Sequence, residues 1–261
     1  MNEQLSLSHV KTGILKQPRR TLIYGVQGIG KSLFCASAPD VIFISTEDGL
    51  GDIDCAQFPL AKSFADVKNA IRVLCKEDHK YKALAVDSMD WLERLIWDHV
   101  IDNYEGNGSP KYIEDIGYQG GYKTAVRYWQ EFIKGLDWLR NHKGMQILLT
   151  AHSQVKTYDA PSGDSYDRYR PRLHKLAEAV LCEWVDEIFF ANYKVHTKTV
   201  GEGLGERSVG IGSGERVILT TEKPSHIAKN RLRMPDEIPL EWSAYEKFLG
   251  NSAEEKTTTG E

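Results

Sequence analysis

A glycine-rich segment at residues 25–32 constrains this chain more than any other feature. It reads Gly-Val-Gln-Gly-Ile-Gly-Lys-Ser, the pattern G-x-x-x-x-G-K-[S/T] in which backbone N–H groups turn inward around phosphate oxygens. The apolar run at 21–24 predicts a strand entering the loop, and residues 32–36 predict a helix leaving it. A glycine-rich turn with an incidental lysine is the alternative. The strand–loop–helix setting favours a phosphate-binding loop.

This loop predicts a site for a nucleoside triphosphate. Lys31 is expected to reach the β and γ phosphates, and the Ser32 hydroxyl is expected to ligate Mg²⁺. ATP and Mg²⁺ are therefore the expected cofactors; no N-K-x-D motif for guanine is present. The expected nucleotide-binding residues are Gly25, Val26, Gln27, Gly28, Ile29, Gly30, Lys31, Ser32 and Leu33.

Composition bounds the class of protein. A length of 261 residues suits one α/β domain, and a net charge of −4 argues against a strongly basic nucleic-acid coat. The four cysteines have no C-x-x-C spacing, which argues against structural zinc or a disulfide framework. Neither a secretory signal nor an apolar run of membrane-spanning length is apparent. These features predict a cytoplasmic protein without a membrane partner.

Strand and helix patterns alternate along the first 150 residues. Strands are predicted at 41–45, 82–88 and 145–150, and amphipathic helices begin at Ser63, near Leu92 and at Lys123. This alternation predicts an α/β fold with a parallel sheet flanked by helices. A polar loop at 153–172, a helix at 173–183 and further strands at 187–195 and 216–222 follow. We expect one domain over residues 1–250 and a disordered tail at 251–261.

Two carboxylates stand at predicted strand ends, where open α/β sheets bind ligands. Asp87 ends an apolar strand and is expected to hold Mg²⁺, the alternative being a helix N-cap. Glu47 lies sixteen residues after Lys31 and can polarise an attacking water, the alternative being a solvated Glu-Asp-Gly turn.

Four segments together resemble the RecA-like recombinase core. They end or centre on Thr46-Glu47, Asp87-Ser88, Ala151-His152 and Lys229-Asn230-Arg231. The resemblance implies that Glu47 is the catalytic glutamate, that Asp87 is linked to magnesium, and that His152 senses the γ phosphate. It also implies that Lys229 and Arg231 act as finger residues on a neighbouring subunit's nucleotide. A solvated basic strand end is the alternative for these two cations.

The compact size and the Glu-Asp-Gly-Leu-Gly continuation look closest to bacteriophage-encoded RecA-like ATPases that anneal single strands. Single-stranded DNA and self-association into a ring or filament are then implied, with a single-strand binding protein as a further candidate partner. The location would be the bacterial host cytoplasm. Histidine stands at position 152 where the family has glutamine, and a sizeable N-terminal polymerisation domain like the family's is not expected.

Two stretches are candidates for binding DNA. The first, at 153–172, carries cations interleaved with tyrosines, which suits the binding of phosphates and the stacking of bases. Its cations are Lys156, Arg168, Arg170 and Arg172. The other, at 104–123, carries Lys111 and Lys123 among glycines and tyrosines. Three aspartates offset most of the first stretch's charge, and mobile surface loops are the alternative for both. The RecA-like placement of the two loops favours DNA.

Two functions follow from these features. The first is an ATP-hydrolysing recombinase-type protein that assembles on single-stranded DNA and promotes annealing or strand exchange. The second is a non-catalytic ATP-gated adaptor or loader in phage DNA replication or packaging. In the adaptor, Lys31 and Asp87 bind nucleotide while Glu47 has no catalytic role.

Overall fold

The computed structural model describes residues 6–10, 12–13, 17–160, 163–200 and 207–250. The predicted tail at 251–261 lies outside these residues. The strands are β1 (Arg20–Gly25), β2 (Val41–Ser45), β3 (Ala56–Gln57), β4 (Ala83–Asp87), β5 (Gln146–Tyr158), β6 (Tyr166–Pro171), β7 (Glu187–Val200), β8 (Arg207–Leu219), β9 (Lys229–Asn230) and β10 (Glu237–Pro239). The helices are α1 (Lys31–Ala36), α2 (Phe64–Lys76), α3 (Met89–Asp102), α4 (Gly120–His142), α5 (Lys175–Trp184) and α6 (Trp242–Gly250).

A single twisted sheet forms the centre, in the order β10-β8-β7-β1-β5-β4-β2-β3. The strands from β7 to β3 in this order pair in parallel. The next strands, β8 and β10, pair antiparallel. The expected α/β class, mostly parallel with antiparallel strands toward the C-terminus, is confirmed. The phosphate-loop strand β1 and the aspartate strand β4 are separated by β5, so the two motifs lie one strand apart.

Both faces of the sheet are covered, which explains the continuous apolar runs of its central strands. On β1, Leu22 and Tyr24 pack into a core with α2, α3, α4 and α5, while Ile23 packs into a second core with α1 and α6. Each of these three β1 side chains is at most 1% exposed.

The start of α2 follows directly from its sequence. The Ser63 hydroxyl accepts from the Asp66 backbone N–H at 3.2 Å, and the Asp66 carboxylate accepts from the Ser63 N–H at 2.9 Å. This reciprocal capping box satisfies two backbone donors at the helix start. The predicted helix start is confirmed.

The prediction of a polar loop at 153–172 is wrong. There β5 continues to Tyr158 and pairs antiparallel with β6, in register from Ser153 opposite Pro171 to Tyr158 opposite Tyr166. We call this two-stranded segment, residues 153–158 and 166–171, the ribbon. Most of its side chains are polar, so the sequence lacks the alternation of apolar residues that predicts a strand. Similarly, β7 extends to Val200, and the strand predicted at 216–222 is the last part of a longer strand, β8, which begins at Arg207 and ends at Leu219.

The carboxyl ends of β1, β5, β4 and β2 meet at one edge of the sheet. Because parallel strands place ligands at this edge, the phosphate loop, Glu47, Asp87 and His152 converge there. Within the described part of the chain, no helix is both long and apolar enough to cross a bilayer.

Candidate nucleotide-binding site

Three glycines of the phosphate loop are required by the conformation or the packing of the backbone. Gly28 and Gly30 have φ values of 75° and 111°, conformations that other residues rarely adopt. A Cβ added at Gly25 would lie 2.3 Å from the Ala191 carbonyl oxygen of β7. Glycine is therefore required at position 25 by close strand packing, and at 28 and 30 by the shape of the loop.

Lys31 lies within the loop and is only 6% exposed. Its ammonium donates to the carbonyl oxygens of Gly25 at 3.1 Å and Val26 at 3.0 Å. Burial lowers the pKa of Lys31, and the nearby carboxylates of Asp87 and Glu47 oppose that shift. An anionic phosphate would compensate the buried ammonium charge better than the two carbonyl oxygens do.

Asp87 ends β4 beside the start of α1. Its Oδ2 accepts from the Ser32 hydroxyl at 2.5 Å, and its Oδ1 accepts from the Thr150 hydroxyl at 2.5 Å. Mg²⁺ prefers few protein ligands and hard oxygen donors. A carboxylate joined to two hydroxyls fits that preference, so the residues present suit a magnesium ion. Asp87 does not act as the side-chain cap of α3.

Glu47 follows β2 and lines the same cavity as Lys31 and Asp87. The preceding residue, Thr46, anchors this turn, since its hydroxyl accepts from the Ser88 backbone N–H at 2.9 Å and its own N–H donates to the Asp87 carbonyl at 2.8 Å. Burial raises the pKa of Glu47, and the charge of His152 opposes this. The side chain is therefore part of the site rather than a fully solvated turn.

His152 is placed by β5 at the far wall of the cavity. Its Nδ1 lies 3.0 Å from Oδ2 of Asp90, and its backbone N–H donates to Oδ1 of Asp90 at 3.0 Å. Asp90 also accepts from Arg172, whose Nε lies 3.2 Å away. These charge-assisted bonds hold the pKa of Asp90 well below its usual range despite burial.

The cavity has a volume of about 330 Å³. It is lined by Gln27, Gly28, Gly30, Lys31, Ser32, Leu33, Glu47, Asp48, Gly49, Ile53, Asp87 and His152. A second cavity of about 420 Å³ lies near the start of α2 and the end of α3 and includes Lys62, His99 and Lys111. The smaller cavity is the one lined by the phosphate loop. The nucleotide site is therefore identified by its lining residues and not by its volume.

The predicted DNA-binding cations of residues 153–172, in the ribbon and at its base, all bond to other groups of the protein. Arg168 is 8% exposed and pairs with Glu222 at 2.5 Å. Arg170 pairs with the buried Glu178 at 2.6 Å. Arg172 pairs with Asp90, and Lys156 donates to the Leu173 carbonyl at 3.3 Å. In this conformation the ribbon presents less free positive charge than its sequence indicates. Lys111 and Lys123 of the other stretch are exposed to solvent.

Lys229 and Arg231 lie away from the cavity. β9 pairs with the first residues of β7, which themselves lie beside Thr21 at the amino end of β1. This is the amino-terminal end of the parallel strands, opposite the end that carries the phosphate loop. Arg231 pairs with Asp186 at 2.9 Å, and Lys229 donates to three backbone carbonyls at the end of α5. Both cations are thus bound within their own chain.

Three residues of the site were not predicted from the sequence. Thr150 contacts Asp87, and Asp90 contacts His152. Both lie near predicted strand ends, where open α/β sheets bind ligands, so this rule could have predicted them. Arg216 of β8 donates to the Ile29 carbonyl of the phosphate loop at 3.3 Å. No local pattern marks Arg216, because its contact joins residues 187 positions apart.

The fold and the cavity are those of an α/β protein with a phosphate-loop site for a nucleotide. A family model described as an AAA domain matches residues 17–232, and the chain belongs to this family. Among solved structures, one titled "Crystal structure of the RadB recombinase" is similar with a TM-score of 0.43 and 14% identity, covering 78% of this chain and 80% of that chain. A search among curated proteins gave no match.

Proposed function

We propose that the protein is a Mg²⁺-dependent ATPase of the recombinase type that assembles on single-stranded DNA and promotes annealing or strand exchange. The observation that carries the catalytic part is the convergence of Lys31, Ser32, Glu47, Asp87 and His152 around one cavity. A relationship to phage single-strand annealing proteins, and with it a host-cytoplasmic location and a single-strand binding partner, belongs to the same proposal.

Each residue has a chemical task in this proposal. The amides of the phosphate loop and Lys31 bind the triphosphate, and Ser32 and Asp87 hold Mg²⁺. When bound, Mg²⁺ neutralises phosphate charge. Glu47 accepts a proton from the attacking water; since burial raises its pKa, it is a stronger base than an exposed glutamate. His152 contacts the γ phosphate.

The DNA part of the proposal depends on the ribbon, because β5 runs without interruption from His152 into it. Its exposed Tyr158 and Tyr169 offer faces for bases. Several chains side by side would add the weak contributions of single ribbons. Self-association is therefore part of the proposed mechanism.

Glu47→Gln tests the hydrolytic role. We expect ATP turnover to fall by about 100-fold or more, while binding of a non-hydrolysable ATP analogue stays within a few-fold of wild type. Asp52→Asn, in the exposed loop that follows the same turn and outside the cavity lining, is the matched control and should keep turnover. Filter binding with an oligonucleotide should show tighter binding with the analogue than with ADP. Equal binding in all nucleotide states would contradict coupled assembly.

An ATP-gated adaptor is the second candidate. The observation in its favour is that the ribbon cations and Lys229 and Arg231 are all engaged within the chain. Turnover that is slow and unchanged in Glu47→Gln, together with retained nucleotide binding, would support the adaptor instead of the recombinase.

A further inference from the structure

Asp90 bonds to both His152 and Arg172, two residues that also contact each other where β5 and β6 meet. It lies in the first turn of α3, is 4% exposed, and accepts from both His152 and Arg172. His152 lines the nucleotide cavity, whereas Arg172 follows β6 at the base of the ribbon. One buried carboxylate therefore contacts the wall of the site and the base of the ribbon at once.

The contacts fix His152 in one orientation. A carboxylate only accepts hydrogen bonds, so Nδ1 carries a proton in its contact with Asp90; the Arg172 guanidinium also lies 3.2 Å from this nitrogen. That leaves Nε2 as the ring nitrogen available to a ligand in the cavity. Arg172 is attached twice, because its backbone N–H donates to the His152 carbonyl at 2.7 Å while its guanidinium binds Asp90.

We propose that Asp90 is a positioning residue that links His152 to Arg172, so that nucleotide bound at His152 changes the stability of the ribbon. The inference rests on the proposed nucleotide site but not on hydrolysis. It also gives Arg172 a task different from the expected contact with DNA: its guanidinium holds the base of the ribbon to α3. Charge-assisted bonds to a buried carboxylate are strong and directional enough to transmit such a shift.

The test measures hydrogen exchange of residues 153–158 and 166–171 with no nucleotide, with ADP and with AMP-PNP. In wild type we expect AMP-PNP to change exchange in the ribbon by at least about fivefold relative to ADP. Asp90→Asn keeps one acceptor oxygen but loses the charge and should abolish this difference while AMP-PNP still binds. ¹⁵N spectra of labelled histidine should then show a changed distribution of protons between Nδ1 and Nε2 of His152.

Glu93→Gln is the matched control. Glu93 lies one turn later on α3, is equally buried, and accepts from the His174 backbone N–H rather than from His152. It should keep the nucleotide-dependent difference. Arg172→Gln is a second variant, on a side chain that is 45% exposed, and it should reproduce the loss if Asp90→Asn fails to fold.

Two results would overturn the proposal. One is wild-type protein that binds AMP-PNP without any change in ribbon exchange. The other is a difference that persists in Asp90→Asn or Arg172→Gln, or that disappears equally in Glu93→Gln. Absence of ATP turnover in wild type would instead contradict the hydrolytic function, and it would leave these measurements interpretable.

Discussion

The ammonium of Lys229 donates to the Val185 carbonyl at 2.6 Å, just beyond the last residue of α5. The same ammonium also donates to the Cys182 and Glu183 carbonyls, both at 3.0 Å. The last carbonyls of a helix lack intrahelical partners and carry partial negative charge. Lys229 therefore caps α5 within its own chain, where sequence resemblance implied a finger for a neighbour.

We expect Lys229→Met to lower the free energy of unfolding by about 1–2 kcal/mol, because three carbonyls lose a charged donor while the apolar stem is kept. Urea unfolding measures this, and Lys247→Met on the exposed side of α6 should have no comparable effect. Unchanged stability combined with lower turnover only in assembled protein would restore the finger role.

Gly25→Ala is expected to destabilise the nucleotide-free protein by about 1–3 kcal/mol, the usual cost of overpacking. The added methyl would lie 2.3 Å from the backbone oxygen of Ala191, which cannot move without disturbing the pairing of β1 with β7. Thermal and urea unfolding give the difference. Gly49→Ala has open space around its added Cβ and serves as control; equal losses in both variants would contradict the steric explanation.

Arg216→Ala should weaken binding of ATP and ADP by roughly tenfold, in line with a lost hydrogen bond to a charged group. The guanidinium rests against Ile29 and Gly30 and restrains the loop. Arg216→Lys should bind nucleotide with intermediate affinity, since lysine keeps the positive charge but lacks the planar guanidinium. Titration with a fluorescent nucleotide measures the affinities. Arg127→Ala on the exposed face of α4 is the control, and equal affinity in Arg216→Ala would refute the role.

Glu187 should make stability depend on pH. Its side chain is fully buried, and burial raises its pKa to about 7 although Arg19 lies 3.6 Å away. The folded state then holds the proton more tightly than the unfolded state, so this stabilisation is present at low pH and is lost as pH rises through about 7.

Glu187→Gln removes that titration. Relative to wild type it should gain up to about 3 kcal/mol in unfolding free energy between pH 5 and pH 8, from the size of the shift. Urea unfolding at several pH values measures both proteins. Parallel pH profiles for the two would show that Glu187 is ionised throughout.

The phosphate loop, the alternation of strands and helices, and the capping box at Ser63 could be predicted from the sequence alone. These features are local: loop shape depends on glycine spacing, and burial on both sheet faces imposes apolar runs. Glu47, Asp87 and His152 could also be placed near the loop, because parallel strands bring their carboxyl ends to one edge.

The partners of the cations could not be predicted without the folded structure. Arg172 meets Asp90 across 82 positions, and Arg216 meets Ile29 across 187. A charge in a sequence has no fixed partner, since electrostatic energy depends on distance and burial after folding. The ribbon was not predicted for a related reason: most of its side chains are polar, and its pairing is stabilised by backbone hydrogen bonds, which no side-chain pattern shows.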